Sequence, residues 1–321
     1  MAEAGRPPRW KILLAFATIY FVWGSTFLAI RVGVLAVPPL LFAAIRFTIA
    51  GLVLYGWVRI RGTRSPSARE WLRVSLLGVL IFLVDYGCLF WAEQRVPSGI
   101  AAVVLATIPV FITLLDILVL GTHRLTIRLA TALAVGVAGV AVLMNNRFSF
   151  GEAPIDRAGA AALLIASFSW SIATILTRKL QLPASKSMSA AAQMLVGGVA
   201  LFAAAAGTGE IGNFHIAMVP VRAWLALFYL ITAGSIVGFT AYLWLLHYES
   251  PTRVGTYAYI NPVVAVGLGY FLGGETVGPR TLLGTLLVIL SVIVITTMPQ
   301  KSAAKIRGEE GTAGMQPAEG K

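Results

Sequence analysis

The sequence has little charge and almost no cysteine. Among its 321 residues, 12% are charged and 58% are hydrophobic, whereas soluble domains are about 25% charged and about 45–50% apolar. These proportions exclude a soluble globular domain and indicate a chain that crosses a membrane many times. The single cysteine, Cys88, has no partner for an intrachain disulfide and cannot build a cysteine-based metal site.

Acidic residues are also scarce, with 13 Asp and Glu against 25 Lys and Arg, for a formal net charge of +12. The basic residues occupy short breaks between apolar stretches, which is typical of juxtamembrane anchoring and not of a nucleic-acid-binding face. The phosphate-loop pattern G-x-x-x-x-G-K-S/T and the zinc-binding pattern H-E-x-x-H are absent. We therefore expect no nucleic acid partner, no ATP-driven transport, no metal and no other cofactor.

Long apolar stretches predict the fold class. A stretch of about 17–25 apolar residues can cross a bilayer as a helix, and five such stretches precede Asn145 while five follow it. They lie at 12–32, 39–58, 72–91, 98–120, 126–144, 158–178, 188–206, 223–246, 253–273 and 280–298. We therefore expect an all-α integral membrane protein of ten transmembrane helices.

The same pattern predicts the organisation of the chain. We expect two five-helix repeats joined by an extracytoplasmic loop and flanked by two cytoplasmic tails, the second of them disordered. The N-terminal tail would cover 1–11, the first repeat 12–144, the loop 145–157, the second repeat 158–298 and the C-terminal tail 299–321. With both termini cytoplasmic, the inner loops carry about three times as many Lys and Arg residues as the outer loops, as the positive-inside rule requires.

One helix pair occurs twice in the chain. The stretch from Trp23 to Arg31 aligns with Trp170 to Arg178 at an offset of 147, and at the same offset Arg46 aligns with Gln193. Because each half has an odd number of spans, the two copies run through the membrane in opposite directions. Such inverted repeats are typical of secondary transporters.

Several motifs together resemble the drug/metabolite transporter superfamily, and within it the EamA-type permeases and their YedA-like exporters. The motifs are Trp23-Gly24-Ser25, Arg46-Phe47, Ala92-Glu93-Gln94, Val96 to Ala102, and Tyr257 to Val264 leading to Gly273-Gly274-Glu275. The resemblance implies two inverted five-helix repeats, a plasma-membrane location, export of small metabolites and a central cavity lined mainly by the first four helices of each half. The chain departs from the family pattern at Asp85 and at Thr122-His123.

Arg46 and Asp85 are charged residues well inside predicted spans, where a charge costs several kcal/mol unless it faces protein or water. Both would lie about 10 Å below the outer surface, so they could pair. In one interpretation Arg46 holds an anionic substrate group while Asp85 neutralises it or exchanges a proton. In the other interpretation they form a structural ion pair. Asp116, about one turn from the cytoplasmic end of its span, is more readily explained by anchoring at the interface.

The remaining candidates are aromatic, polar or proline residues within spans. Trp23 and Trp170, in equivalent positions, either flank a central cavity or pack in the core, and Pro109 and Pro262, in mirrored positions, predict hinges or static kinks. The other candidate substrate-binding residues are Thr26, Thr174, Gln193, Tyr257 and Asn261.

These observations predict a secondary active transporter that exports amino acids, related metabolites or drugs by alternating access. Its partners would be a small-molecule substrate and the lipid bilayer, and proton coupling and a homodimer both stay open. The alternatives are an intramembrane enzyme, for which no nucleophile and base lie at one depth, and a passive channel, for which no charge ring or carbonyl filter is visible.

Overall fold

A computed structural model describes residues 7–120, 126–145, 154–249 and 251–297. Within these ranges all regular structure is helical. Thr122-His123, the predicted tail at 299–321, and most of the predicted connecting loop lie outside the described residues.

The first half begins with the two long helices α1 and α2, and its third and fourth spans are each built from shorter pieces. The α-helices are α1 (Arg9–Val34), α2 (Pro39–Ile60), α3 (Ala68–Gly78), α4 (Gly87–Glu93), α5 (Ser98–Leu105), α6 (Ile108–Leu115) and α7 (Ile127–Met144). A π-helical segment, π1 (Val79–Tyr86), joins α3 to α4, and a second, π2 (Asp116–Leu120), continues α6. Segments of this kind are rare and frequently mark functional sites.

The second half follows the same order. Its α-helices are α8 (Arg157–Lys179), α9 (Lys186–Gly207), α10 (Val221–Tyr229), α11 (Gly238–Tyr248), α12 (Pro251–Val254), α13 (Tyr257–Phe271) and α14 (Pro279–Thr297). A short 3₁₀ turn spans Ile216–Met218, and π3 (Leu230–Val237) joins α10 to α11. The segments π1 and π3 each have eight residues and occupy corresponding places in the two halves.

Local chemistry explains where the helices begin and end. Pro39 opens α2, where the missing amide proton costs nothing. The side chains of Ser67 and Glu70 form a capping box at the start of α3. Helices α2 and α9 end alike, because Gly62 and Gly209 both adopt the left-handed conformation that glycine favours after a helix, with φ of 82° and 77°.

Nine helices within the described ranges are long and apolar enough to cross a membrane. The ninth predicted span, 253–273, falls short, because the chain breaks after α12 and leaves α13 with 15 residues. A 15-residue helix is about 22 Å long, less than the roughly 30 Å of a bilayer core. Large apolar side chains such as Leu13, Leu52, Leu118 and Leu282 point outward on the long helices, as expected for contact with lipid.

Equivalent helices of the two halves pack on one another. The most extensive contacts join α2 to α9 and α7 to α14. Helix α1 packs against π3, and α8 packs against π1. The third span of each half is therefore held by the first helix of the other half.

Candidate functional site

Arg46 lies where α2 packs against π3 of the second half. It is only 3% exposed, and its Nε donates to the Ser235 Oγ of π3 at 3.2 Å. Its guanidinium carbon is 5.5 Å from the Tyr86 ring centroid and 5.9 Å from that of Phe90, distances suited to cation–π attraction. Its Nη1 has no hydrogen-bond partner within the described ranges. The side chain therefore offers an unused donor inside the bundle.

Within the described ranges, Arg46 and Asp85 do not form an ion pair in this conformation. Asp85 in π1 is 2% exposed, and its Oδ1 has no hydrogen-bond partner in the part of the chain that is described. Tyr86 and Phe90 occupy the face of the third span that meets Arg46. Asp85 is about a quarter turn away from Tyr86 around that helix, so depth alone did not bring the charges together.

The two equivalent tryptophans each contact the π segment of the other half. Trp23 Nε1 donates to the Gly234 oxygen of π3 at 3.2 Å, and its ring centroid is 5.0 Å from that of Tyr257. The Trp170 ring centroid is 6.3 Å from that of Tyr86 in π1. Both tryptophans are therefore in contact with other aromatic rings, and the proposed contact with solute stays a prediction.

The polar candidates have different surroundings. A Cβ atom built on Gly234 would lie 3.0 Å from Thr26 Cγ2 and 3.3 Å from Arg46 Nη2, so the structure brings these residues together. Asn261 is buried with its Oδ1 unpartnered in the described ranges. Three of the side chains make hydrogen bonds within their own helices: Thr26 Oγ1 donates to the Trp23 oxygen, Thr174 Oγ1 to the Trp170 oxygen and Gln193 Nε2 to Ser189 Oγ. For all of these residues a role in substrate binding stays a prediction.

The two mirrored prolines have different local structures. Pro109 lies in the first turn of α6, directly after the break that separates α5 from α6. Pro262 lies inside the continuous helix α13, and the ninth span breaks before Tyr257 instead. The predicted hinge role of both prolines stays a prediction.

Glu275 joins several segments at one end of the bundle. The count of Lys and Arg residues assigns this end to the outer side, and the two ends are called outer and inner on that basis. This carboxylate accepts from the Ser98 amide and hydroxyl at 2.7 Å each and from the Gly99 amide at 3.0 Å, which caps the first turn of α5. Arg31 Nε is 3.4 Å from Glu275 Oε1. Arg31 Nη1 donates to the backbone oxygens of Glu93 and Val96 at 2.6 and 2.7 Å. Segments from both halves are thereby joined.

The inner end carries a second ion pair. Asp116 Oδ1 is 3.5 Å from Arg178 Nη1, with Asp116 2% exposed and Arg178 48% exposed. The expectation of simple anchoring for Asp116 is therefore replaced by a buried carboxylate that faces a cation of the other half. Arg178 and Arg31 are the equivalent arginines of the repeated motif.

Glu93 is the residue that sequence reasoning missed. Its side chain is 0% exposed, and neither carboxylate oxygen has a hydrogen-bond partner in the described parts of the chain. The predicted third span ended at residue 91, which assigned Glu93 to a solvated loop. The helix in fact continues to Glu93. Extending the predicted third span to this residue would have identified Glu93 as a residue of the span.

A cavity of about 630 Å³ lies among α1, α2, π3 and α11, lined by Lys11, Leu14, Trp57 and Trp244 among others. A second, of about 390 Å³, lies at the outer end beside Gln94 and Glu210. Glu210 Oε2 accepts from the Leu41 amide at 2.9 Å, and burial raises the pKa of the Glu210 carboxyl.

These features define a class: a multi-pass helical membrane protein with buried charges where its two halves meet. The model of the EamA-like transporter family matches residues 9–145 and 157–297, and the chain belongs to that family. The resemblance inferred from the motifs is thereby confirmed.

Named relatives agree with this assignment. The chain is 37% identical over 284 residues to the uncharacterized inner membrane transporter YedA of Escherichia coli strain K12, covering 88% of this chain and 89% of YedA. It is 27% identical over 276 residues to protein PecM of Dickeya dadantii, covering 85% and 88% of the two chains. A crystal structure with 23% identity covers 90% of this chain and 98% of its own, and its TM-score of 0.60 shows the same fold.

Proposed function

We propose that the protein is a secondary active transporter that exports small organic metabolites across the plasma membrane by alternating access. In this proposal ten helices form two inverted five-helix repeats that rock about a site near Arg46. Relatives named as transporters support the general activity. The observation that carries the mechanism is the pair of ion pairs that join the halves at opposite ends.

The two ion pairs are related by the repeat. Arg31 ends the repeated motif in the first half and faces Glu275 of the second half. Arg178 ends the motif in the second half and faces Asp116 of the first half. With the repeats inverted, one pair lies at the outer end and the other at the inner end. Alternating access requires contacts between halves that break at one end while those at the other end hold.

The surroundings of Arg46 indicate the solute. Its buried guanidinium has an unpartnered Nη1 and lies among the rings of Tyr86 and Phe90. A cation placed in this way binds a carboxylate or phosphate well, and the rings suit an apolar or aromatic body. Amino acids, related metabolites and amphipathic drugs with an anionic group fit this description.

Accessibility labelling tests the mechanism. Cys88→Ala removes the single cysteine, after which Ile100→Cys in α5 reports on the outer end and Thr113→Cys in α6 on the inner end. An impermeant maleimide is applied to right-side-out and to inside-out vesicles. We expect Glu275→Gln to raise outer and lower inner labelling, and Asp116→Asn to do the reverse. A tenfold change in labelling would correspond to about 1.4 kcal/mol of shifted equilibrium.

A matched control is available within the first half. Arg64 and Glu70 form an ion pair in which the Arg64 side chain is exposed. Both residues belong to the first half, so the pair does not join the two halves, and Glu70→Gln should leave both labelling rates unchanged. Labelling that rises at both ends together would contradict alternating access and favour a channel.

Transport itself is measured in proteoliposomes. Compounds to which overproducing cells become resistant are tested for counterflow with the purified protein. We expect saturable counterflow that responds to a pH gradient. Unsaturable flux would favour a channel, and chemical conversion of the compound would favour an intramembrane enzyme.

A further inference from the structure

Glu93 occupies an unusual place at the outer end. It is the last residue of α4 and is fully buried, with both carboxylate oxygens unpartnered within the described residues. Its backbone oxygen accepts a hydrogen bond from Arg31 Nη1. Neither the proposed export nor the ion pairs described above makes use of this carboxyl group.

Charged groups of three other segments face Glu93. They are Arg31 of α1, Arg46 of α2 and Glu275, which follows α13. On its own span Asp85 lies about two turns earlier. Arg31 is already engaged with Glu275 and with two backbone oxygens. Glu93 therefore shares a buried region with two cations and a second carboxylate, without a hydrogen bond from either cation to its own carboxyl.

A bare carboxylate is costly in this position. The effective penalty for removing an ionised group from water is several kcal/mol unless hydrogen bonds replace the lost hydration. A carboxylic acid carries a much smaller penalty because only a polar group is then buried. When the outer end opens, water reaches the group and the ionised form is no longer penalised.

We propose that Glu93 is a proton-binding site whose protonated form stabilises the closed outer end of the transporter. A bound proton keeps the closed region neutral around Glu275 and Arg31, and loss of the proton favours opening because the carboxylate then needs water. The link between Glu93 and closure of the outer end rests on the proposed alternating access. Proton binding at Glu93 does not depend on it.

Asp85 is the competing carboxyl group, and geometry favours Glu93. A proton can bias a conformational equilibrium only where its binding differs between the two states. Glu93 adjoins the contact between Arg31 and Glu275 that has to break on opening. Asp85 lies about two turns deeper in the same span and belongs to no such contact.

Infrared spectroscopy of the reconstituted protein tests proton binding without any substrate. A protonated carboxyl group absorbs in a carbonyl region free of ionised carboxylates. We expect a pH-dependent band in the unmodified protein, part of which is lost in Glu93→Gln and shifted in Glu93→Asp. The control Glu70→Gln should retain the whole band.

An identical spectrum in Glu93→Gln would overturn the proposal, as would a band lost only in Asp85→Asn. The absence of any such band before mutation would overturn it regardless of how the variants fold.

Labelling of Ile100→Cys in the Cys88→Ala background tests the link to closure. The labelling rate is divided by that of an unfolded sample of the same protein at each pH, because the thiolate is the reactive form of cysteine. We expect this normalised rate from outside to rise severalfold as external pH rises, and to become independent of pH in Glu93→Gln. An unchanged pH profile in Glu93→Gln would refute the link. In a further outcome, Glu93→Gln removes the infrared band, but Glu275→Gln and Asp116→Asn do not change labelling in opposite directions. This outcome would uphold the proton site and reject alternating access.

Discussion

At the scale of residues, the molecule is distinguished by buried polar atoms without partners. Among the described residues they include Arg46 Nη1, Asp85 Oδ1, both oxygens of Glu93 and Asn261 Oδ1. Native proteins leave few such atoms, because each costs free energy that packing elsewhere has to offset. Their concentration where the halves meet is what a site for polar solutes or protons requires.

Arg46 should show opposite effects on stability and on transport. A buried ion without a charged partner carries a desolvation penalty of several kcal/mol, which an apolar side chain of similar length avoids. We therefore expect Arg46→Met to keep or raise the thermal unfolding midpoint in detergent while counterflow is abolished.

Arg46→Lys serves as the comparison. It retains the charge but loses the planar group that lies among Tyr86 and Phe90, so we expect weaker solute binding with unfolding little changed. Strong destabilisation by Arg46→Met would instead mean that Arg46 is a structural residue.

At the scale of elements, the closest approach of the two halves depends on glycine. Gly51 of α2 and Gly198 of α9 are equivalent in the repeat. A Cβ on Gly51 would lie 3.0 Å from the Leu195 amide nitrogen, and one on Gly198 would lie 2.9 Å from that of Thr48. Backbone atoms cannot move aside as a flexible side chain can, so these contacts exclude a larger residue.

We expect Gly198→Ala to destabilise the protein by about 1–3 kcal/mol through overpacking of α2 against α9. The matched control is Gly56→Ala in α2, where an added Cβ meets nothing within 4 Å and should stabilise the helix by roughly 0.5–1 kcal/mol. Thermal unfolding of both variants in the same detergent measures the difference. Equal effects at the two positions would contradict the packing of α2 on α9.

At the scale of the whole molecule, the distribution of basic residues predicts the orientation. Loops assigned to the inner side carry most of the Lys and Arg residues, and cytoplasmic loops attract such charge. We expect a fluorescent reporter fused after Lys321 to be active and an alkaline phosphatase fused there to be inactive. The opposite result would contradict the predicted cytoplasmic C-terminus.

Much of the molecule was predictable because the bilayer imposes simple rules. Apolar runs predicted each of the nine helices within the described ranges that are long and apolar enough to cross a membrane. The ninth predicted run failed because hydropathy counts apolar residues and not helix continuity, which breaks between α12 and α13. The burial of Arg46 was also predictable, since a charge inside an apolar run has to face the interior.

The partners of the buried charges were not predictable. Depth along a span follows from counting residues, but rotation about the helix axis depends on packing with neighbours. The π1 segment alters that rotation, and Tyr86, not Asp85, faces Arg46. Glu93 was missed for a related reason, because the end of a span is set by tertiary contacts and not by hydropathy alone.

The sequence by itself determined that this chain is a helical membrane protein with an internal repeat, because hydrophobic length and residue offset are properties of the linear order. Only the tertiary structure decided that Arg31 meets Glu275, that Arg178 meets Asp116 and that Glu93 is buried. These contacts join residues far apart in the chain, and they form only after both halves have packed.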